Sequence, residues 1–342
     1  MRQIPRHAAL VLLLSIAAGC SSETVAPAPT AGPSLQDGLW TASGSPSTLL
    51  RLSPQQLSGV GARAPSTEIT TSSARLFALL GVAFDPAGDL WIASEDDSLL
   101  LSFPAGSLTG SGDRTPAKVI SPVDRSLVGP AALAFDAQGR LWVANRRSGT
   151  LVRYDAPQLA AGGRVAPAVV LRIPGSPSAL AFDAAGSLWI SDNRFAWILK
   201  FPAGQLEASG TPVANFALTR QASALVNPGG LAFDAAGNLW VANTGAGNLL
   251  GFGPDQLAGD RPTAPRIEIT STGGSLSLPV GLAFDGGGNL WVLGGDGGLT
   301  QYAPASLVRS GPAAPSAQLA IPGHTLFWSL AFWPRPAGLR LN

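Results

Sequence analysis

From residue 38 onward, apolar runs of four to six residues are separated by clusters of Gly, Pro, Asp and Asn. Runs this short, rich in Val, Ile, Leu, Phe and Trp and bounded by turn residues, predict β-strands. They are apolar nearly throughout instead of alternating, which predicts strands buried on both faces. The chain also repeats: GVAFDPAGDLWIAS (81–94), ALAFDAQGRLWVAN (132–145), ALAFDAAGSLWIS (179–191), GLAFDAAGNLWVAN (230–243) and GLAFDGGGNLWVL (281–293). The Phe recurs at 84, 135, 182, 233 and 284 and the Trp at 91, 142, 189, 240 and 291, with spacings of 51, 47, 51 and 51 residues. Each copy continues into a second apolar run with a Pro-containing turn and a Leu, as in WILKFPAGQL (197–206), and then a further short run.

The two ends are complementary. Gly38-Leu39-Trp40 carries the LW half without its LAF half, and Ser329-Leu330-Ala331-Phe332 carries the LAF half alone. Six periods of 51 account for the 306 residues from 37 to 342. Four strands per unit and six units predict an all-β fold, a six-bladed β-propeller. Its ring is expected to close by pairing Leu330–Phe332 with the strand holding Leu39 and Trp40, which leaves no open edge. Leu339-Arg340-Leu341 is a competing extra strand. An open solenoid would have no need of such halves.

Within each repeat the Asp of FDAAG opens a tight turn, and the Gly three residues on supplies positive φ. Asp85, Asp136, Asp183, Asp234 and Asp285 are therefore hairpin residues before they are candidate carboxylate catalysts. The Trp of each unit has the size to fill the space between neighbouring blades.

The repeat resembles the NHL repeat and the repeats of the gluconolactonase and senescence-marker-protein group and of streptogramin lyases. The resemblance runs from Gly38 to Phe332 and implies a propeller. It also implies where chemistry would sit. Gluconolactonase-type enzymes hold a divalent metal at the channel mouth with Glu, Asn and Asp. The matching positions here are Leu80, Ala131, Ser178, Gly229, Val280 and Trp328, none of them a carboxylate. Streptogramin lyases use His residues, whereas this chain has only His7 and His324.

The N-terminus reads as an address. Arg2 and Arg6 precede an apolar run from Ala8 to Gly19, too short to span a bilayer that needs roughly 20 residues. A basic stretch before a short apolar core reads as a secretory signal. Ala17-Ala18-Gly19-Cys20 resembles the lipobox of bacterial lipoproteins, which implies cleavage before Cys20, the only cysteine, and its lipidation. Ser21, in place of an Asp, implies the outer membrane, facing the periplasm or the cell surface. The expected organisation is a signal over 1–19, a Ser/Thr/Ala/Pro tether over 20–36 and a propeller over 37–342.

Composition narrows function further. The 22 Lys and Arg against 21 Asp and Glu leave a formal charge of +1, so there is no basic footprint for nucleic acid. A single Cys excludes an internal disulfide framework and a Cys-based zinc site. No cofactor, no metal site and no catalytic residue is expected, and the chain reads as a monomer.

Candidate binding residues lie where the inner strands begin and where the second strands end. At the mouth they are Ser178, Trp328 and nearby His324. Trp328 would either stack on a flat ligand or plug the channel, and a lone loop His is expected to be exposed. At the ends of the second strands stand Ser43, Ser94, Asn145, Asp192, Asn243 and Gly294, whose ordinary use is to close a loop onto its own backbone. Beyond them, Glu95-Asp96-Asp97, Arg146-Arg147 and Arg194 read as a solvated rim of weak pairs or as a polar docking face. The expected function is a lipid-anchored, non-catalytic binding or scaffold module of the cell envelope. Its partners would be the membrane through Cys20 and an envelope protein, a glycan or a small apolar ligand. The alternative is a lactonase-type hydrolase or streptogramin-lyase-like enzyme with a rearranged site.

Overall fold

In the repeat at 183, the backbone reverses where the sequence places Asp-x-x-Gly. Asp183 N–H donates to Ser187 O (3.0 Å), and Gly186, at φ +76°, donates to Asp183 O (3.1 Å). One carboxylate oxygen of Asp183 accepts from Ala185 and Ser187 N–H, both at 2.9 Å. The other accepts from the Trp189 indole at 3.0 Å. The same Asp-to-indole bond recurs from Trp91, Trp142, Trp240 and Trp291. Each hairpin Asp thus ties its own turn to the large side chain that packs the blade.

The computed structural model describes residues 37–72, 78–259, 261 and 263–335. The signal, Cys20, the tether and Leu339–Leu341 lie outside them. Among the described residues the strands form six sheets, arranged as the blades of a propeller. Blade 2 is typical, running from inner to outer through Leu79–Phe84, Leu90–Ser94, Leu99–Phe103 and Lys118–Ser121. The inner strands of blades 3 to 6 are Pro130–Phe135, Pro177–Phe182, Pro228–Phe233 and Pro279–Phe284. Blade 1 takes its inner strand, Thr325–Trp333, from the far end of the chain. It pairs antiparallel with Gly38–Ser45, setting Leu39 opposite Phe332 and Trp40 opposite Ala331. This is the closure that the half-repeats predict. No helix among the described residues is long and apolar enough to cross a membrane.

Aromatic packing joins the blades. Trp40, Trp91 and Trp142 each meet the Phe of the following blade edge to face, with centroids 6.3, 6.4 and 6.3 Å apart. Six tryptophans are buried to within 2% of full coverage, as the sequence predicts for blade-filling side chains.

Every blade has the four expected strands, and two of the six sheets have no more. In several blades the outer strand gains a fifth, parallel partner from the loop of the next repeat. Gly112–Asp113 adds to blade 1 and Gly163–Arg164 to blade 2. Gly311–Ala313 adds to blade 5, and Val60–Ala62 of the first repeat adds to blade 6. An outer strand otherwise exposes a row of unpaired N–H and C=O groups. Ser111 and Ser310 hydroxyls accept from the N–H of Glu68 and Glu268, each at 3.0 Å, where two of these clasps begin, and Ser209 accepts from Val170 N–H at 3.0 Å beside a single bridge between Leu171 and Gly210. The ring is therefore joined twice between its ends, once at the hub and once at the rim.

Candidate functional site

The mouth of the channel is built from β-bulges. In blades 3, 4 and 6 the inner-strand register slips after its first residue, leaving Ala131, Ser178 and Val280 unpaired at the mouth. In blade 1 the slip falls between Phe327 and Leu330, so Trp328 occupies the bulge. A bulge bends the strand and re-aims its side chain, and Ala131, Ser178 and Trp328 line the axis. Below them the inner strands nearly touch. A Cβ on Gly281 would lie 2.8 Å from the Leu330 side chain, and one on Gly230 would lie 2.9 Å from Leu282 N. The cavity left on the axis is about 50 Å³, lined by Ala131, Ser178, Trp328 and inner-strand Leu, Ala and Gly. That is room for one or two waters, far below the roughly 300–1,000 Å³ of a ligand pocket.

Trp328 is covered from above. The Arg146 guanidinium of blade 3 lies 4.8 Å from its ring centroid. Glu95 of blade 2, only 4% exposed, holds Arg146 through contacts of 3.1 and 2.8 Å. Arg147 pairs with Asp96 and approaches Glu95 at 3.5 Å. The reading of these charges as a solvated rim is corrected at Glu95, which is buried and pairs with the half-buried Arg146, joining two blades and capping the central indole.

Ser178 sits beside the axis but is engaged, with its hydroxyl 3.0 Å from Ser191 Oγ and donating to Pro228 O at 3.1 Å. Asn145, Asp192 and Asn243 are fully buried. Asn145 donates to Ser126 O (2.9 Å) and accepts from Val128 N–H (3.3 Å). Asn243 does the same with Ala224 O (3.1 Å) and Val226 N–H (2.6 Å). Asp192 accepts from Ser176 N–H and from Phe195 N–H. Asn145 and Asn243 thus tie the loop before the inner strand to the end of the second strand, where the sequence predicts a turn closed onto its own backbone, and Asp192 bonds both that preceding loop and its own. His324 is not the exposed loop residue expected. It is 9% exposed, with Nε2 3.8 Å from Glu68 Oε1, because ring closure folds its segment against the blade 6 turn at Gly297. The structure brings Ser178 and Trp328 together on the axis and leaves His324 out at the blade 1 outer strand.

Two larger cavities lie on the opposite face, between hairpin tips. One of about 540 Å³ separates blades 3 and 4, lined by Phe182, Leu206, Arg140, Glu207 and Arg335 among others. One of about 360 Å³ separates blades 4 and 5, lined by Trp189, Phe233, Pro254, Leu257 and Lys200 among others. Several of their charges are paired. The Glu207 pKa is lowered, first by the Arg140 guanidinium and then by Arg153. Lys200 lies 3.2 Å from Asp183 and 5.1 Å from the Trp189 ring centroid. Burial opposes ionisation of Asp183, but the Trp189 indole, Ser187 N–H and Lys200 outweigh it and lower its pKa. Sequence reasoning missed these clefts because they arise between blades, from residues about 50 apart.

Among the described residues no group of three or more His, Cys, Asp or Glu is gathered to hold a metal ion. No family model and no curated protein matches the chain. Solved structures share its fold. A streptogramin B lyase is 13% identical over 74% of this chain and 72% of its own, with a TM-score of 0.52. A putative gluconolactonase is 17% identical over 75% of this chain and 83% of its own, with a TM-score of 0.51. The WD40 β-propeller domain of Doa1 is 12% identical over 87% and 83%, with a TM-score of 0.56. At such identities the likeness is one of fold.

Proposed function

We propose that the chain is a lipid-anchored β-propeller of the cell envelope that binds or scaffolds a partner without catalysing a reaction. One observation carries the non-catalytic part. The channel mouth holds an indole capped by a guanidinium whose charge is already matched by Glu95, above a cavity of about 50 Å³. Catalysis of the lactonase or lyase kind needs a poised base or converging metal ligands within reach of the reacting atom. Here the described polar side chains at the mouth are spent on one another. The clefts between hairpin tips have the size of ligand sites and predominantly apolar walls, which suits binding. The envelope part rests on the signal-like run that ends in Cys20.

The test has two arms. Changing Cys20→Ser is expected to abolish acyl labelling and release the protein from membranes. The purified chain is expected to carry no stoichiometric divalent metal and to leave a panel of lactones and cyclic depsipeptides intact. Turnover that stops on metal removal or with His324→Ala would establish the hydrolase or lyase alternative instead.

A further inference from the structure

The two clefts between hairpin tips share one scaffold. The walls of the blade 4/5 cleft repeat those of the blade 3/4 cleft 51 residues later, with Phe233 for Phe182 and Leu257 for Leu206. Their cations differ. In the smaller cleft Lys200 is already matched, 3.2 Å from Asp183. The larger, of about 540 Å³, gains Arg335, which lies beyond the repeats. It follows the closing strand Thr325–Trp333 by two residues and crosses from blade 1 to blades 2 and 3.

Arg335 donates to Phe84 O, and its guanidinium lies 6.0 Å from the Phe135 ring centroid. One carbonyl does not use up a guanidinium, which carries further donors in the same plane. Burial lowers the Arg335 pKa, against a smaller opposing pull from Asp85. A guanidinium nevertheless stays charged. Among the described residues no carboxylate forms an ion pair with it. The other charges of the wall are matched. Arg140 contacts Asp136 at 2.6 Å and Glu207 at 2.9 Å, and Arg153 supports Glu207 at 3.0 Å. One cation is thus left over in a space of ligand size, beside Phe182 and Leu206. A half-buried charge without a counter-ion is a cost that an anion in the cleft would offset.

We propose that the blade 3/4 cleft binds a small monocarboxylate with an apolar body, its carboxylate on Arg335 and its body against Phe182 and Leu206. The proposal deepens the reading of the ring as a binding module and rests on it. A single negative charge is favoured because Asp136, Asp183 and Glu207 already stand in the walls and would repel a second. The apolar body follows from the predominantly apolar lining. Acyl chains and flat aryl groups share this chemistry, and the test separates them.

The full-length chain in detergent is titrated by calorimetry, with empty micelles subtracted, against octanoate and octanamide and against 2-naphthoate and 2-naphthamide. At least one acid is expected to bind about ten-fold tighter than its amide, the worth of a hydrogen bond to a charged group. The acid that does so tells acyl from aryl. Arg335→Gln keeps a donor for Phe84 O and is expected to lose the preference while still binding the amide. Ala203→Trp fills this cleft and not its neighbour, and should abolish binding of acid and amide alike. Melting temperatures check that both variants fold, and should Ala203→Trp fail to fold, Arg335→Gln decides alone. No saturable binding of either acid, equal affinity for acid and amide, a preference that survives Arg335→Gln, or binding that survives a folded Ala203→Trp would overturn the site. Lactone or depsipeptide turnover would defeat the non-catalytic reading and leave this titration unchanged, so the two fail separately.

Discussion

Asp183 shows how much one side chain of the repeat carries. Its carboxylate accepts two backbone N–H groups and one indole and faces Lys200. Asp183→Asn would aim an amide N–H at the indole donor and the ammonium. The expected loss is about 1–3 kcal/mol at neutral pH, the range for a buried donor left without its acceptor. Because the folded pKa is lowered, this stability is present above the unfolded value of about 3.9 and is lost as pH falls through the folded pKa. The gap in urea midpoint between the two proteins should therefore be open at pH 7 and narrow at pH 3. Equal midpoints at pH 7 would show that the turn does not depend on the charge. The role of these Asp residues in the turn was legible in the local Asp-x-x-Gly. The indole partner, six residues on, became visible only once the hairpin had folded.

The clasp strands are the element-scale counterpart. They are two or three residues long, built around Gly, and have no apolar period, so nothing in the local pattern marks them as strands. What makes them strands is the unpaired edge they meet. Two glycines at equivalent places should respond differently to substitution. Gly112, at φ +130° and paired with Ile69, has a conformation that a β-branched residue does not adopt without strain. Gly112→Val is expected to destabilise by about 1–3 kcal/mol. Gly210 bridges Leu171 in ordinary backbone, with open space where a Cβ would lie. Gly210→Ala is expected to stay within about 0.5 kcal/mol of the parent. Denaturant midpoints compare the pair, and a neutral Gly112→Val would argue that the clasp contributes nothing.

For the whole molecule, closure is the decisive contact. A chain ending after Pro322 loses Thr325–Trp333, the inner strand of blade 1, and leaves Gly38–Ser45 as a bare edge. It keeps the outer clasp between Val60–Ala62 and Gln318–Ala320. The expected outcome is a ring still joined at its rim but several kcal/mol less stable, a large share of a typical 5–15. It should also self-associate with concentration through the open edge. An unchanged melting temperature would refute closure at the hub.

The repeat made the blades legible before folding, since strand, turn and core positions depend on neighbours within about 15 residues. The period of 51 supplied their number, and the complementary halves at Trp40 and Phe332 supplied the closure. The tertiary structure decided what depends on contacts between blades. Glu95 meets Arg146 from 51 residues away, and Arg146 meets Trp328 from the far end of the chain. His324 is buried and Phe195 is exposed, although each looks unexceptional in its own stretch of sequence. Local periodicity records which face of a strand is apolar. It does not record which side chain of another blade will arrive to cover it, because that is set by the closing of the ring.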